Sequence, residues 1–413
     1  MLGQELNEVY DIHIKNVYNI NKIFSNKQEE YNIPDSYYID LLLSNVNYYK
    51  ELFCKKSNWE LLKKLINGYE LLNVKNNSIV NYKPLSRSFY KLWEIIYDNN
   101  IVNINKYKYK YNKNKKLNIF CIAEAPGGFI DAFSKYFYSK DLNNYFIDGI
   151  SLIEKDTNIP TWYNIYNKIK TNPNINIIDE IDGDLYKLRT IKYCVSKGRR
   201  YDIITADGGF DFSDDFSNQE LQFSKLFFCE ILTAISLQNI GGIFICKCFD
   251  MNTNLTKQIL YILYCLYESI EFVKPCISRD TNSEKYIIAR NFKGIKYHIL
   301  NKLYNILRDW DNSISINFNI SFNIPIEYYY EINKVNEYYL KEQYKYYKII
   351  YNLDKILDEK IIKNIIKEQI DKCVLFCNKY NLMINNNSDY IKYPINNIFN
   401  KYYKKMLLDM VNK

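Results

Sequence analysis

Short apolar runs alternate with longer segments of helical spacing through the middle of the chain, and helical spacing alone prevails toward both ends. The clearest strand-like runs are NIFCIA (118–123), YFIDGISL (145–152), NINIID (174–179), YDIITA (201–206), GGIFICKCF (241–249) and KYIIAR (285–290). Helices are expected between several of them, at 128–138, 218–238 and 253–268. Strands alternating with helices from about 85 to 295 indicate a doubly wound α/β sheet. YDIITA is almost continuously apolar, which suits a central strand covered on both faces.

Outside this core the period changes to that of helices. Segments 38–54 and 59–72 carry helix-like apolar spacing, as do 327–351, 354–380 and 396–412. The expected organisation is a helical N-terminal extension (1–84), an α/β domain (85–295) and a helical C-terminal region (296–413). No Gly/Pro-rich linker sets the last region apart, so it is expected to pack rather than float. The stretch 103–118, NINKYKYKYNKNKKLN, has no apolar face and reads as a solvated loop, with a phosphate-binding arm as the alternative.

Composition narrows the class. The chain has 413 residues and 47% hydrophobic content, enough to bury a full core. Ten cysteines show no CxxC pairing and only two histidines exist, His13 and His298, so neither a structural zinc nor a disulfide framework is indicated. Neither a secretory leader nor an apolar run of about 18 residues is evident, so a soluble cytoplasmic protein without membrane association is expected. A net charge of +8 permits attraction to a polyanion without requiring it. The 42 tyrosines, with abundant Asn, Ile and Lys, fit the codon bias of an AT-rich genome.

Two kinds of local chemistry stand out. In AEAPGGF (123–129) a strand ends and the chain must turn sharply into a helix, where glycine tolerates φ > 0 and lets bare backbone approach a ligand. The turn has neither GxGxxG nor GxxxxGK[ST] spacing, which disfavours a dinucleotide enzyme and a P-loop NTPase. The second kind is a set of separated charges: Lys91 in SRSFYKLWEII, Asp207 ending YDIITA, Lys247 inside FICKCF and Glu284 before KYIIAR. Taken singly, Asp207 could be a turn or capping acid, Glu284 and Lys91 solvated charges, and Lys247 a snorkelling edge residue. Yet an apolar run rarely buries a bare ammonium without partners. The intervals between Asp207, Lys247 and Glu284 each allow one helix-and-strand excursion, which brings them to one sheet edge.

In order and context, these motifs resemble the FtsJ family of RNA ribose 2'-O-methyltransferases, especially its viral, mRNA cap-directed members. The resemblance implies a Rossmann-like methyltransferase sheet and S-adenosylmethionine as cofactor. It implies that Glu124, Ala125, Gly127, Gly128 and Phe129 form the turn that holds the methionine part, and that Asp184 in IDGDLYKL (181–188), with Asp182 as the neighbouring alternative, meets the adenine. Asp207 belongs to both the cofactor and the catalytic sets. Lys247 becomes the base, Lys91 the second cation, and Asp207 and Glu284 the carboxylates that orient the pair. Since a free lysine titrates near 10.4, a basic Lys247 is expected to be shifted downward by a neighbouring cation, by desolvation or by both. Glu124 before the Pro, and Gly-Gly-Phe after Asp207, look closer to the large-DNA-virus branch of the family, with action in host cytoplasm or virion.

The implied partner is RNA, the capped 5' end of mRNA, with other capping or transcription proteins as further partners. Arg87, Arg279 and Lys285 are candidate RNA contacts, or else ordinary structural charges. The alternatives are ribosomal or transfer RNA as substrate, or a catalytically silent RNA-binding scaffold. Retention of both lysines argues against the last of these.

Overall fold

The structure is a computed structural model that describes residues 10–12, 37–102, 116–153, 160–169, 172–210, 218–310 and 324–411. Most of the basic stretch 103–118 lies outside these residues. The chain divides into two compact units: Met1–Asp35, Ile95–Lys274 and Glu284–Asn336 form the first, and Ser36–Glu94, Pro275–Ser283 and Glu337–Lys413 the second.

An eight-stranded sheet organises the first unit. Its strands are β1 (Tyr10–Ile12), β2 (Leu117–Ile122), β3 (Tyr145–Ile150), β4 (Ile175–Ile177), β5 (Tyr201–Ala206), β6 (Gln238–Cys248), β7 (Ser269–Val273) and β8 (Lys285–Arg290), in the spatial order β1-β7-β8-β6-β5-β2-β3-β4. Strands β2 to β6 are mutually parallel. β8 runs antiparallel to β6 and to β7, and β1 antiparallel to β7. From β2 the chain proceeds outward through β3 and β4, then returns to the other side of β2 with β5. The order therefore reverses between β2 and β5, where a doubly wound sheet opens a crevice at its carboxyl ends.

Every residue of β5 is buried, as expected of a strand covered on both faces. Helix Gly128–Ser139 follows β2, and helix Gln219–Leu237 leads directly into β6. Both begin within a residue of where the apolar periodicity predicts. Helix Asn254–Leu266 is capped by Thr253, whose hydroxyl oxygen accepts from the Thr256 N–H at 3.2 Å.

Several elements escape the apolar pattern, β1 and helix Tyr297–Asp309 among them. β7 is a short edge-side strand in which only Ile270 and Phe272 are buried, and helices Tyr163–Ile169 and Leu188–Ser196 are short. Part of the C-terminal region packs within the first unit. The Trp310 ring lies 5.3 Å from that of Phe228, and the Tyr328 hydroxyl donates to the Lys257 carbonyl at 2.7 Å.

The second unit is helical and draws on both ends of the chain. Helix Tyr37–Cys54 contributes Ile39, Leu42, Val46 and Phe53 to a core with Leu62 and, from helix Ile326–Ile356, Leu340, Tyr347 and Ile350. The ring of Phe53 stacks on Trp59 at 5.3 Å and on Tyr347 at 6.1 Å. The Gln369 amide, on helix Glu359–Lys379, donates to the carbonyls of Lys64, Leu65 and Asn67, tying sequence ends some 300 residues apart. Among the described residues, no helix is long and apolar enough to cross a membrane.

Candidate active site

The glycine turn lies at the carboxyl end of β2. Gly127 adopts φ 105° at the N-cap of helix Gly128–Ser139, a conformation that favours glycine. Glu124 is 4% exposed, and its Oε1 accepts from the backbone N–H of Phe129 at 2.6 Å. The carboxylate thus occupies the electropositive start of the helix. Its other oxygen, Oε2, is buried without a hydrogen-bond partner among the described residues. Burial, then the charge of Asp207, push the Glu124 acid well above the ordinary carboxylate range, against the pull of the helix N–H groups and Lys247. A buried acid with one free oxygen is suited to receive a cationic group. Phe129 is fully buried with its ring centroid 6.0 Å from that of Tyr286.

Asp207 follows β5 at the reversal point, its N–H donating to the Ile122 carbonyl at 3.3 Å. Lys247, next to last in β6, stands 3.3 Å from Asp207 Oδ1 and donates to the Asp207 carbonyl at 2.9 Å. The Tyr286 hydroxyl donates to the same Oδ1 at 2.7 Å, and Tyr286 pairs with Lys247 across the antiparallel β6–β8 ladder. Glu284 is 7% exposed immediately before β8, and the Lys274 ammonium donates to its carbonyl at 2.9 Å. Gly209 leaves room for Lys247, since a Cβ there would stand 2.9 Å from its Nζ.

The electrostatics differ from the expectation for Lys247. Burial does work to lower its pKa, but the charges of Asp207, Glu284 and Glu230 outweigh it and raise the pKa above the ordinary lysine value. The downward shift expected of a base is therefore absent in this structure, because the Asp207 carboxylate contacts the ammonium and the charges of Glu284 and Glu230 add to its effect. Lys247 rests protonated.

The structure thus brings together Asp207, Lys247 and Glu284 beside the Glu124 turn. Lys91 lies partly buried on helix Ser88–Asp98, in the part that belongs to the second unit. Asp184 and Asp182 occupy a turn in which the Asp182 carbonyl accepts from the Ile153 N–H just beyond β3. Asp184 accepts from the Tyr186 N–H at 3.0 Å and pairs with Lys187 at 3.1 Å, while Asp182 pairs with Lys187 and Arg189.

Each of the three candidate RNA contacts has a partner within its own unit. Lys285 is 1% exposed and donates to the Phe249 carbonyl. In the second unit Arg87 pairs with Glu70 at 2.8 Å and donates to the Ile277 carbonyl, and Arg279 reaches the same Glu70 at 3.4 Å. Sequence reasoning overlooks two residues. Tyr286 is hidden among 42 tyrosines. Glu230 had a readable signal, a lone acid inside the apolar run LFFCEILTAISL.

A mainly parallel sheet whose order reverses at β2/β5, with the antiparallel β8 inserted between β7 and β6, and with a glycine turn and a lysine–carboxylate cluster at its carboxyl edge, has the form of a Rossmann-like methyltransferase. More particularly, residues 84–292, about half of the chain, match the FtsJ-like methyltransferase family, and the chain belongs to it. The cap-specific mRNA (nucleoside-2'-O-)-methyltransferase 1 of Xenopus laevis is 32% identical over 136 residues, 33% of this chain and 16% of that protein. Its counterpart in Dictyostelium discoideum is 30% identical over 210 residues, 45% of this chain and 27% of that protein. The chain thus spans less than a third of the length of these relatives, which are eukaryotic rather than viral. Among solved structures, human methyltransferase-like protein 13 overlaps 48% of this chain and 86% of that chain at 14% identity with a TM-score of 0.30, too distant to carry weight.

Proposed function

We propose that this chain transfers the methyl group of S-adenosylmethionine to a ribose 2'-OH of RNA, at the cap-proximal nucleotide of mRNA. The observation that carries the reading is the buried Lys247 paired with Asp207, with the charges of Glu284 and Glu230 acting on it, at the carboxyl edge beside the glycine turn. That these relatives are cap-specific mRNA (nucleoside-2'-O-)-methyltransferases supports the choice of substrate.

S-adenosylmethionine, when bound, supplies an electrophilic methyl group on a sulfonium. Residues of the turn fit it: Glu124 Oε2 is an unpartnered buried acceptor suited to an α-ammonium, and Ala125, Gly127 and Gly128 keep the backbone slim above the buried Phe129. Asp184 or Asp182 is the proposed adenine partner. Asp207 orients Lys247 through its carbonyl and carboxylate, and the Tyr286 hydroxyl holds the same carboxylate oxygen. Lys247 is the proposed base. It must release its own proton before it can accept one from a hydroxyl, so turnover is expected to rise with pH. Lys91 is proposed as the second cation on its motif alone. Positioning of hydroxyl, methyl and sulfur in line would supply much of the remaining acceleration.

The test offers labelled donor to matched short RNAs with and without a cap, followed by nuclease mapping. Label on the ribose of the first nucleotide of capped RNA alone is expected. Equal transfer to uncapped RNA would redirect the reading to ribosomal or transfer RNA, and label on a base would overturn the reaction.

A further inference from the structure

Helix Gln219–Leu237 buries a carboxylic acid with no exposure at all, Glu230. Both oxygens are engaged. Oε1 accepts from the backbone N–H of Gly208 at 3.0 Å, and Oε2 faces the Cys246 thiol at 3.6 Å. Gly208 directly follows Asp207, whose carbonyl receives Lys247. The contact is close: a Cβ at position 208 would come within 2.3 Å of Glu230 Oε1. Burying an acid so deep is costly. Its use must lie in what it holds.

We propose that Glu230 is a positioning residue for methyl transfer, fixing the Asp207–Gly208 turn through its hydrogen bond and adding a third negative charge around Lys247; the inference rests on the role given to Lys247 above. The groups facing Glu230 are Asp207 from the turn, Lys247 and Cys246 from β6, Tyr186 from the segment ahead of helix Leu188–Ser196, and Cys229 beside it on its own helix. Burial pushes the Glu230 acid up to about 8, against the opposing pull of Lys247. Above that pH its charge favours the Lys247 ammonium. Removing the charge while keeping the acceptor therefore lowers the pH at which Lys247 gives up its proton.

The experiment compares the full chain with Glu230→Gln, which keeps an acceptor for Gly208, and Glu230→Leu, which does not. Lysine labelled with 13C at Cε reports the titration of Lys247 by NMR, assigned with Lys247→Arg, and kcat and KM are measured for methyl transfer to capped RNA across pH. In Glu230→Gln the Lys247 titration and the rising limb of kcat should move together to lower pH with KM little changed. Glu230→Leu should lose about tenfold in kcat, the scale of one lost hydrogen bond at a buried group. Superimposable Lys247 titrations in wild type and Glu230→Gln would overturn the proposal; where Glu230→Leu does not fold, that comparison alone decides. Lys247 responding to Glu230 in a protein that transfers no methyl would uphold the coupling and count against the functional reading.

Discussion

The buried acid of Glu230 makes protein stability depend on pH in a direction opposite to that of a paired surface carboxylate. Its folded-state pKa of about 8 lies above the 4.5 of an ordinary glutamate, as in the unfolded chain. Between those values the folded protein holds a proton that the unfolded chain has lost. Stability therefore falls as pH rises from 4.5 through 8, by about 1.4 kcal/mol per unit, and levels off above. The whole interval amounts to about 5 kcal/mol, of which roughly 3 kcal/mol falls between pH 5.5 and 8.5. Glu230→Gln abolishes this loss, because its amide oxygen can still accept from Gly208 and nothing titrates. Urea unfolding of both proteins at pH 5.5 and 8.5 isolates the contribution as a difference of differences, in which other titrating groups cancel. The wild type should lose about 3 kcal/mol more than the variant over that range. Parallel losses in the two proteins would refute the raised titration of the buried Glu230 acid.

Three further outcomes follow from other parts of the molecule. Glu124→Gln keeps the oxygen that caps the helix but removes an acid that an arriving cation would ionise, so cofactor affinity by calorimetry should fall about tenfold to a hundredfold; unchanged affinity would remove Glu124 from the cofactor set. Tyr286→Phe deletes the hydroxyl bonded to Asp207 and should lower unfolding free energy by about 1–3 kcal/mol and kcat with it, leaving KM near wild type; a shift in KM alone would point to a substrate contact instead. Arg87→Ala leaves Glu70 with a weaker set of partners and should cost about 2 kcal/mol of stability without changing RNA affinity, whereas lost affinity at unchanged stability would restore Arg87 as an RNA contact.

Much of the sheet was legible because its strands are continuous apolar runs, YDIITA above all, and because the glycine turn has a backbone requirement that few residues meet. β7 was missed for the opposite reason, since only Ile270 and Phe272 are buried and the run resembles any half-covered segment. Lys247 was visible as an ammonium stranded in an apolar strand. The direction of its titration was not, because Glu284 and Glu230 reach it only through the folding of β8 and helix Gln219–Leu237. For Arg87, Arg279 and Lys285 the sequence left RNA contact and structural charge both open. Their partners, Glu70 and the Phe249 carbonyl, are remote in sequence or carry no side-chain signal. The gathering of both chain ends into one helical unit depends on contacts such as Gln369 with the carbonyls of 64–67, for which helical periodicity holds no information.

The central claim is that Lys247 removes the proton of a ribose hydroxyl at the cap-proximal nucleotide. Methyl transfer to capped RNA, mapped by nuclease digestion for wild type and Lys247→Ala alongside calorimetry of S-adenosylmethionine binding, tests it most directly. The expected result is ribose label at the first nucleotide with the wild type, none with the variant, and cofactor affinity retained by both. Ribose methylation that persists in Lys247→Ala would contradict the account.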